Sequence, residues 1–352
     1  MVMSRQPEIK HDVSLITFLK GYAIFTIVLF HLLQNVGLPT YVEQGLAFGG
    51  TGVHTFFLLS GFGLYLSHLR RPLSFRAFVG KRFAKIYVPY LGVVLLSALL
   101  SLFLPVFASS GYALLGHVFL YKMFDDQIIG SYGYHLWFVS TIIQFYLAFP
   151  AFAWLKQRTS DTTFLLTTLA LSALWIGVVL ALGKGEVRAW YSFFLQYAWE
   201  FGLGMLLAQR YAQRGAWKLP SGWVLSGCAL VGLTIYSLMT LYGGTVGKMT
   251  NDLPALVGYT AVGLLVYRLR WTVVRRFLLF TGTISYALYL VHIVVKLTIK
   301  HGLQYYGWPL NAPALLFILL AMYGVAYGYH RGVIARTPYH LLTQRLSLKS
   351  IG

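Results

Sequence analysis

Apolar residues run through this chain in long blocks separated by short polar connections. Blocks of roughly 20 residues, the length that crosses a bilayer as a helix, recur near 13–33, 46–68, 86–108, 136–155, 163–182, 189–209, 220–242, 253–269, 277–296 and 313–333. The pattern predicts an all-α integral membrane protein, a bundle of about ten transmembrane helices with little chain left for a soluble domain. All 352 residues are expected as a single membrane domain with a cytoplasmic leader, 1–12, and a cytoplasmic tail, 334–352. The first block follows the charged stretch Ser4 to Asp12 and has no small-residue cleavage site, which fits a retained anchor better than a signal peptide. In the connection 109–135, the apolar patch from Tyr112 to Phe124 is too short to span and is expected at the membrane interface.

Composition agrees with the pattern. Hydrophobic residues make up 58% of the chain and charged residues 11%, against about 25% charged in a soluble domain. So few charges cannot cover a soluble surface of this size. Aromatics reach 17%, and Trp137, Trp190, Trp223, Trp271 and Trp308 fall near block ends, as an interfacial belt predicts. Cys228 is the one cysteine, so no internal disulfide forms and the redox compartment is unreadable.

The net charge of +19 sorts by position. Of 28 Lys and Arg residues, 21 fall before the first block, in alternate connections and in the tail; 6 fall in the other connections, and Lys20 lies inside the first block. By the positive-inside rule both termini face the cytoplasm, in keeping with an even number of spans. Topology thus accounts for the basic excess, and a nucleic-acid partner has no folded module to bind.

An ionisable side chain within a span is costly and marks function by default. Lys20, His31, His54, Glu200 and His292 are such residues. Lys20 and His31 are eleven positions apart, three helical turns and about 20°, so they share a face about 16.5 Å apart along the axis. Histidine is a natural general base near neutral pH, and a lysine in the same groove supplies a fixed positive charge for an anionic donor. The plainer account has Lys20 snorkelling to headgroups and His31 as an interfacial histidine. A loop after the second block carries Arg70, Arg71, Arg76, Lys81, Arg82 and Lys85, enough positive charge to hold phosphates, although topology and anionic headgroups also explain such a run. Lys81, Arg82 and Lys85 are placed at the mouth of the third helix, whose entrance or kink Pro89 would mark. No histidine–cysteine spacing suggests a metal ligand set, no phosphate-cradling glycine loop occurs, and Ser60 lacks a nucleophile elbow; its small neighbours suit close helix packing.

Several blocks together resemble the membrane acyltransferase-3 family. They are Leu19 to Ala23 with Val28 to His31, Gly49 to Phe62, Lys81 to Tyr90, His135 to Phe138 with Gln144 to Leu147, Phe201 to Met205, and Gly282 to His292. They appear in the family's order and cover nearly the whole chain. The resemblance implies about ten helices that take an acyl group, usually acetyl, from cytoplasmic acyl-CoA and deliver it to an acceptor at or beyond the outer face. It implies acyl-CoA (acetyl-CoA) as co-substrate and no permanently bound cofactor. Partners would be a cell-envelope glycan or lipid-linked sugar acceptor and membrane lipids, in a bacterial inner or plasma membrane. A homo-oligomer is left open.

Residue by residue, the resemblance assigns His31 as catalytic base and Lys20 to the site, where the family usually carries Arg. The family's two arginines three apart appear as Arg82 and Lys85, with Lys81 beside them at the donor's phosphates. An acid common after Gly-Val is here His54, and the acid often found in the fourth span is missing from Trp137 to Ile142. His135, Trp137 and His292 are candidates for the acceptor pocket, Glu200 for pairing with a base or orienting a histidine, and Ser60 for packing around the site. The expected reaction is deprotonation of an acceptor hydroxyl by His31 as it attacks the thioester, with an acyl-histidine as the variant route. The alternative from another class is a transporter or flippase for a lipid-linked sugar or small anion.

Overall fold

The computed structural model describes residues 13–34, 36–215 and 218–336. The leader 1–12 and the tail beyond 336 lie outside the described residues. Fifteen α-helices make up the described chain: α1 Ser14–Leu33, α2 Thr40–Ala47, α3 Gly52–Arg70, α4 Phe75–Ser101, α5 Gly111–Val118, α6 Trp137–Arg158, α7 Asp161–Ala181, α8 Arg188–Tyr191, α9 Ala198–Arg214, α10 Gly222–Tyr242, α11 Gly244–Thr250, α12 Asp252–Arg268, α13 Thr272–Thr283, α14 Ser285–Tyr305 and α15 Ala312–Tyr329. Short 3-10 turns link several of them, and the described residues include no strand.

Among these, α1, α4, α6, α7, α10 and α15 are long and apolar enough to cross a membrane, and α13 with α14 makes a seventh, broken candidate. Ten such segments were expected. The segments predicted at 46–68, 189–209 and 253–269 fold as α3, α9 and α12, shorter or more polar helices with most of one face buried. By contrast α7, α10 and α15 bury only a few side chains each. Ionisable side chains are costly in lipid, so the apolar α7, α10 and α15 stand outside and the helices carrying His54, Glu200 and Asp252 stand within.

Two boundaries differ from expectation. α4 begins at Phe75, capped by Ser74 Oγ accepting from Ala77 N. Arg76, Lys81, Arg82 and Lys85 therefore sit on its first turns and not in a loop. Pro89 lies inside α4, where hydroxyls from other helices reach nearby carbonyls: Tyr286 Oη donates to Ile86 O at 2.6 Å and Tyr329 Oη to Pro89 O at 2.5 Å. The predicted block 277–296 is bent by 82° between α13 and α14, where Gly282 packs on α1. A Cβ on Gly282 would stand 1.9 Å from Thr17 O, and one on Gly21 would stand 1.9 Å from Leu278 O. Only glycine permits that approach.

Contacts sort the helix ends. Ser14 on Tyr267, Lys156 and Arg210 on Asp161, and Arg268 on Pro220 gather at one end, which carries most of the basic residues. At the opposite end the last turn of α1 meets the connection before α6, and the first turns of α3, α9 and α12 meet one another.

Candidate active site

His31 lies in the last turn of α1 at the end opposite the basic one. Tyr134 lies nearly flat on its ring, with centroids 5.2 Å apart, and places its hydroxyl 3.3 Å from His31 Nδ1. The same hydroxyl donates to Gln34 Oε1 at 3.4 Å. With the phenol proton given to Gln34, the consistent assignment puts the imidazole proton on Nδ1, donating to Tyr134, and leaves the Nε2 lone pair free. Lys296 Nζ donates to the carbonyls of His31 and, at 3.4 Å, of Gln34. This ammonium caps carbonyls that a helix C-terminus leaves without partners.

Two candidates from distant segments join His31. His292 meets its ring edge to face at 5.2 Å, and His135 meets His292 at 4.7 Å. His292 is fixed by Nδ1 against the carbonyls of Tyr289 at 2.8 Å and Leu288 at 3.1 Å, and its Nε2 is buried without a partner. His135 is held by its Nε2 on Leu290 O at 3.4 Å and by Tyr289, whose hydroxyl donates to His135 O; its Nδ1 is likewise unpartnered. The cluster thus holds two buried ring nitrogens that lack a partner within the protein. Such a site can take up a proton and bind a polar group arriving beside it.

Lys20 stands on the same helix toward the basic end. The charges felt most strongly at Lys20 are those of Lys85 and Arg82 on α4. Arg82 Nε is buried without a hydrogen-bond partner, its guanidinium 5.8 Å from the Phe78 ring. No acid pairs with Lys20, Arg82 or Lys85 among the described residues. Lys81 and Lys85 are exposed at the mouth of this group. Three converging cations without a counter-charge make an anion-binding arrangement.

The remaining candidates belong elsewhere. Glu200 orients a histidine, and that histidine is His54: Glu200 Oε1 lies 2.7 Å from His54 Nδ1, and Asp252 Oδ1 lies 3.7 Å from His54 Nε2. Trp137 packs on Tyr197, which touches His54, and carries the Arg188 guanidinium 5.3 Å from its ring. Both residues therefore stand beside this second cluster. Ser60 is half-buried next to Gly61, where a Cβ would meet Phe201 O at 2.1 Å; the small residues serve the contact between α3 and α9.

Tyr134, Gln34, Lys296 and Asp252 were not found by sequence reasoning. Lys296 and Asp252 fell at the limits of predicted blocks, where charge passes for topology. The expected interfacial patch folds as α5 and a 3-10 turn, and it carries a fully buried cation. Lys122 is 0% exposed, 5.7 Å from the Tyr90 ring, and its Nζ has no partner. Beside it His117 bonds Tyr90 Oη at 2.8 Å and Ser131 Oγ at 3.0 Å.

The described helices thus hold a histidine cluster at one end and a cationic group without a counter-charge at the other. The chain belongs to the acyltransferase-3 family: the family model described as an acyltransferase domain matches residues 14–331. It is a membrane acyltransferase. Comparison with curated proteins and with solved structures gave no match.

Proposed function

We propose that the protein transfers an acyl group, acetyl in the simplest case, from cytoplasmic acyl-CoA to a hydroxyl of a cell-envelope glycan or lipid-linked sugar. The reading rests on one observation above the others. His31, hydrogen-bonded through Nδ1 with Nε2 free, stands on the same helix face as Lys20, whose neighbours are Arg82 and Lys85. The orientation that goes with it puts the basic end in the cytoplasm of a bacterial cell, with ten crossings counted when α3, α9, α12 and the bent pair are included.

In this scheme the nucleotide phosphates dock on Arg82, Lys85 and Lys81, and the pantetheine arm extends past Lys20 toward His31, a distance of about 16.5 Å on the helix rise. Nε2 of His31 takes the proton of the acceptor hydroxyl as its oxygen attacks the thioester carbonyl. Lys296, with one N–H beyond its two carbonyl partners, would donate to the developing oxyanion. The tetrahedral intermediate then collapses, the C–S bond breaks, and the imidazolium returns its proton to the leaving thiolate. His292 and His135 contribute ring nitrogens to the acceptor's other hydroxyls.

The test is complementation of a deletion strain with wild type or His31→Ala, followed by mass spectrometry of the envelope. Ester-linked acyl groups should return with wild type alone. Equal return with both would remove His31 as the base, and the spectra would identify the acceptor.

A further inference from the structure

The cluster of His54, Glu200 and Asp252 has features the transfer reaction does not use. It lies at the end of the bundle opposite the basic one, where the first turns of α3, α9 and α12 converge. One nitrogen of His54 faces each carboxylate, at 2.7 Å for Glu200 and 3.7 Å for Asp252. Glu200 is 0% exposed and its Oε2 has no partner. No lysine or arginine pairs with either acid among the described residues. Ionised, the two carboxylates beside one neutral imidazole would leave two negative charges buried, and such charges persist only when compensated.

Chemistry and access both favour a metal. A ring nitrogen or carboxylate oxygen from each of the three residues lies within 4.8 Å of the others. Donors around a tetrahedral ion with bonds of 2.0–2.2 Å stand roughly 3.4 Å apart, close to the 3.7 Å between His54 Nε2 and Asp252 Oδ1. Glu200 bonding the far nitrogen of the same ring is the arrangement that fixes a metal-binding imidazole and raises its basicity. Independently, Gln196 gives its Nε2 to Asp252 Oδ2 at 2.6 Å while its own Oε1, in a residue 2% exposed, has no partner. Gln196 and Asp252 also line a cavity of about 260 Å³ with Tyr191, Tyr197, Glu186 and Lys248. The cavity gives an entry path and room for water as a further ligand.

We propose that this cluster binds one divalent first-row transition cation of the zinc class. His54 Nε2, Asp252 Oδ1 and Gln196 Oε1 are the protein donors, and Glu200 orients His54. One such ion neutralises the two carboxylates and ties together the starts of three helices.

The experiment uses the full chain in detergent, stripped with EDTA, dialysed and titrated with zinc sulfate. Bound metal is counted by mass spectrometry and stability is followed by thermal unfolding. Wild type should retain about one zinc per chain and melt higher with it. Asp252→Asn should weaken binding at least about 100-fold and Glu200→Gln about 10–100-fold. Gln196→Glu, which adds a carboxylate donor, should enlarge the zinc-dependent rise, a gain that misfolding cannot mimic. His31→Ala should bind zinc as wild type does, which separates this site from the transfer reaction. Zinc that stabilises wild type, Asp252→Asn and Gln196→Glu alike, or that none retains, overturns the proposal and leaves the cluster balanced by protons.

Discussion

Tyr134 covers the His31 ring with 11° between the two planes, and its hydroxyl bridges His31 Nδ1 and Gln34 Oε1. Stacking fixes the imidazole's position, and the bridge fixes which nitrogen carries the proton. Tyr134→Phe keeps the first and removes the second. Acyl transfer should fall by about 10–100-fold in kcat, less than the roughly 10²–10⁴-fold that a general base itself supplies, with little change in the KM for acyl-CoA. His31→Ala should lose the activity altogether. An unchanged kcat in Tyr134→Phe, measured on purified enzyme, would mean the tautomer is set by something else.

Lys20 predicts the converse split. Its cation joins those of Lys85 and Arg82 at the far end of α1, far from the reacting atoms, so its effect belongs to donor binding. Lys20→Met should raise the KM for acyl-CoA by about tenfold, the worth of one charge contact near 1.4 kcal/mol, while kcat moves less. Lys20→Arg, which restores a bidentate fork for phosphate, should bind the donor at least as well as wild type. Steady-state kinetics at low and high salt separate these cases, because a phosphate contact weakens with ionic strength.

What could be read in the sequence followed from chemistry that lipid makes conspicuous. Lys20, His31, His54, Glu200 and His292 stand out because charge and imidazole are rare in apolar runs, and the structure gives every one of them a neighbour among the others or on α4. Their pairing was not legible. Glu200 and His54 are 146 positions apart, and only the parallel packing of α3 and α9 brings them within 2.7 Å. The bend at Ile284 was not legible either, since the polar stretch Thr281-Gly282-Thr283 with Ser285 is too short to divide an apolar block into two helices. Tyr134 and Lys296 resemble ordinary interfacial residues by position, and only their contacts with α1 mark them.

The helix contact that makes the His54–Glu200 pair can be tested one turn away. Gly204 follows Glu200 by four residues as Leu58 follows His54, and a Cβ on Gly204 would stand 2.0 Å from Leu58 O. The obstacle is backbone, so it cannot rotate aside. Gly204→Ala should force α3 and α9 apart and destabilise the protein by about 1–3 kcal/mol or more. Gly63→Ala on α3, which would meet no atom within 4 Å, should be tolerated. Thermal unfolding of the two variants side by side decides the matter; comparable losses would contradict the close approach.

The buried ammonium of Lys122 makes stability depend on pH. Burial pushes its ammonium from the ordinary 10.5 down to about 7, while the unfolded chain holds the proton up to the ordinary value. Between those limits the unfolded state binds the extra proton, so stability rises with pH, by up to about 1.4 kcal/mol per pH unit. Below that window both states are protonated and the slope vanishes, with the cost of the buried charge fully present. Lys122→Met removes the charge and retains most of the volume, and at pH 6.5 it should melt higher than wild type, because an unpaired buried ion is replaced by an apolar side chain. The advantage should shrink as pH rises to 9. Parallel curves for the two proteins would show that Lys122 keeps its proton when folded, held by an anionic group; a loss of acyl transfer in the same variant would place that group on the acceptor.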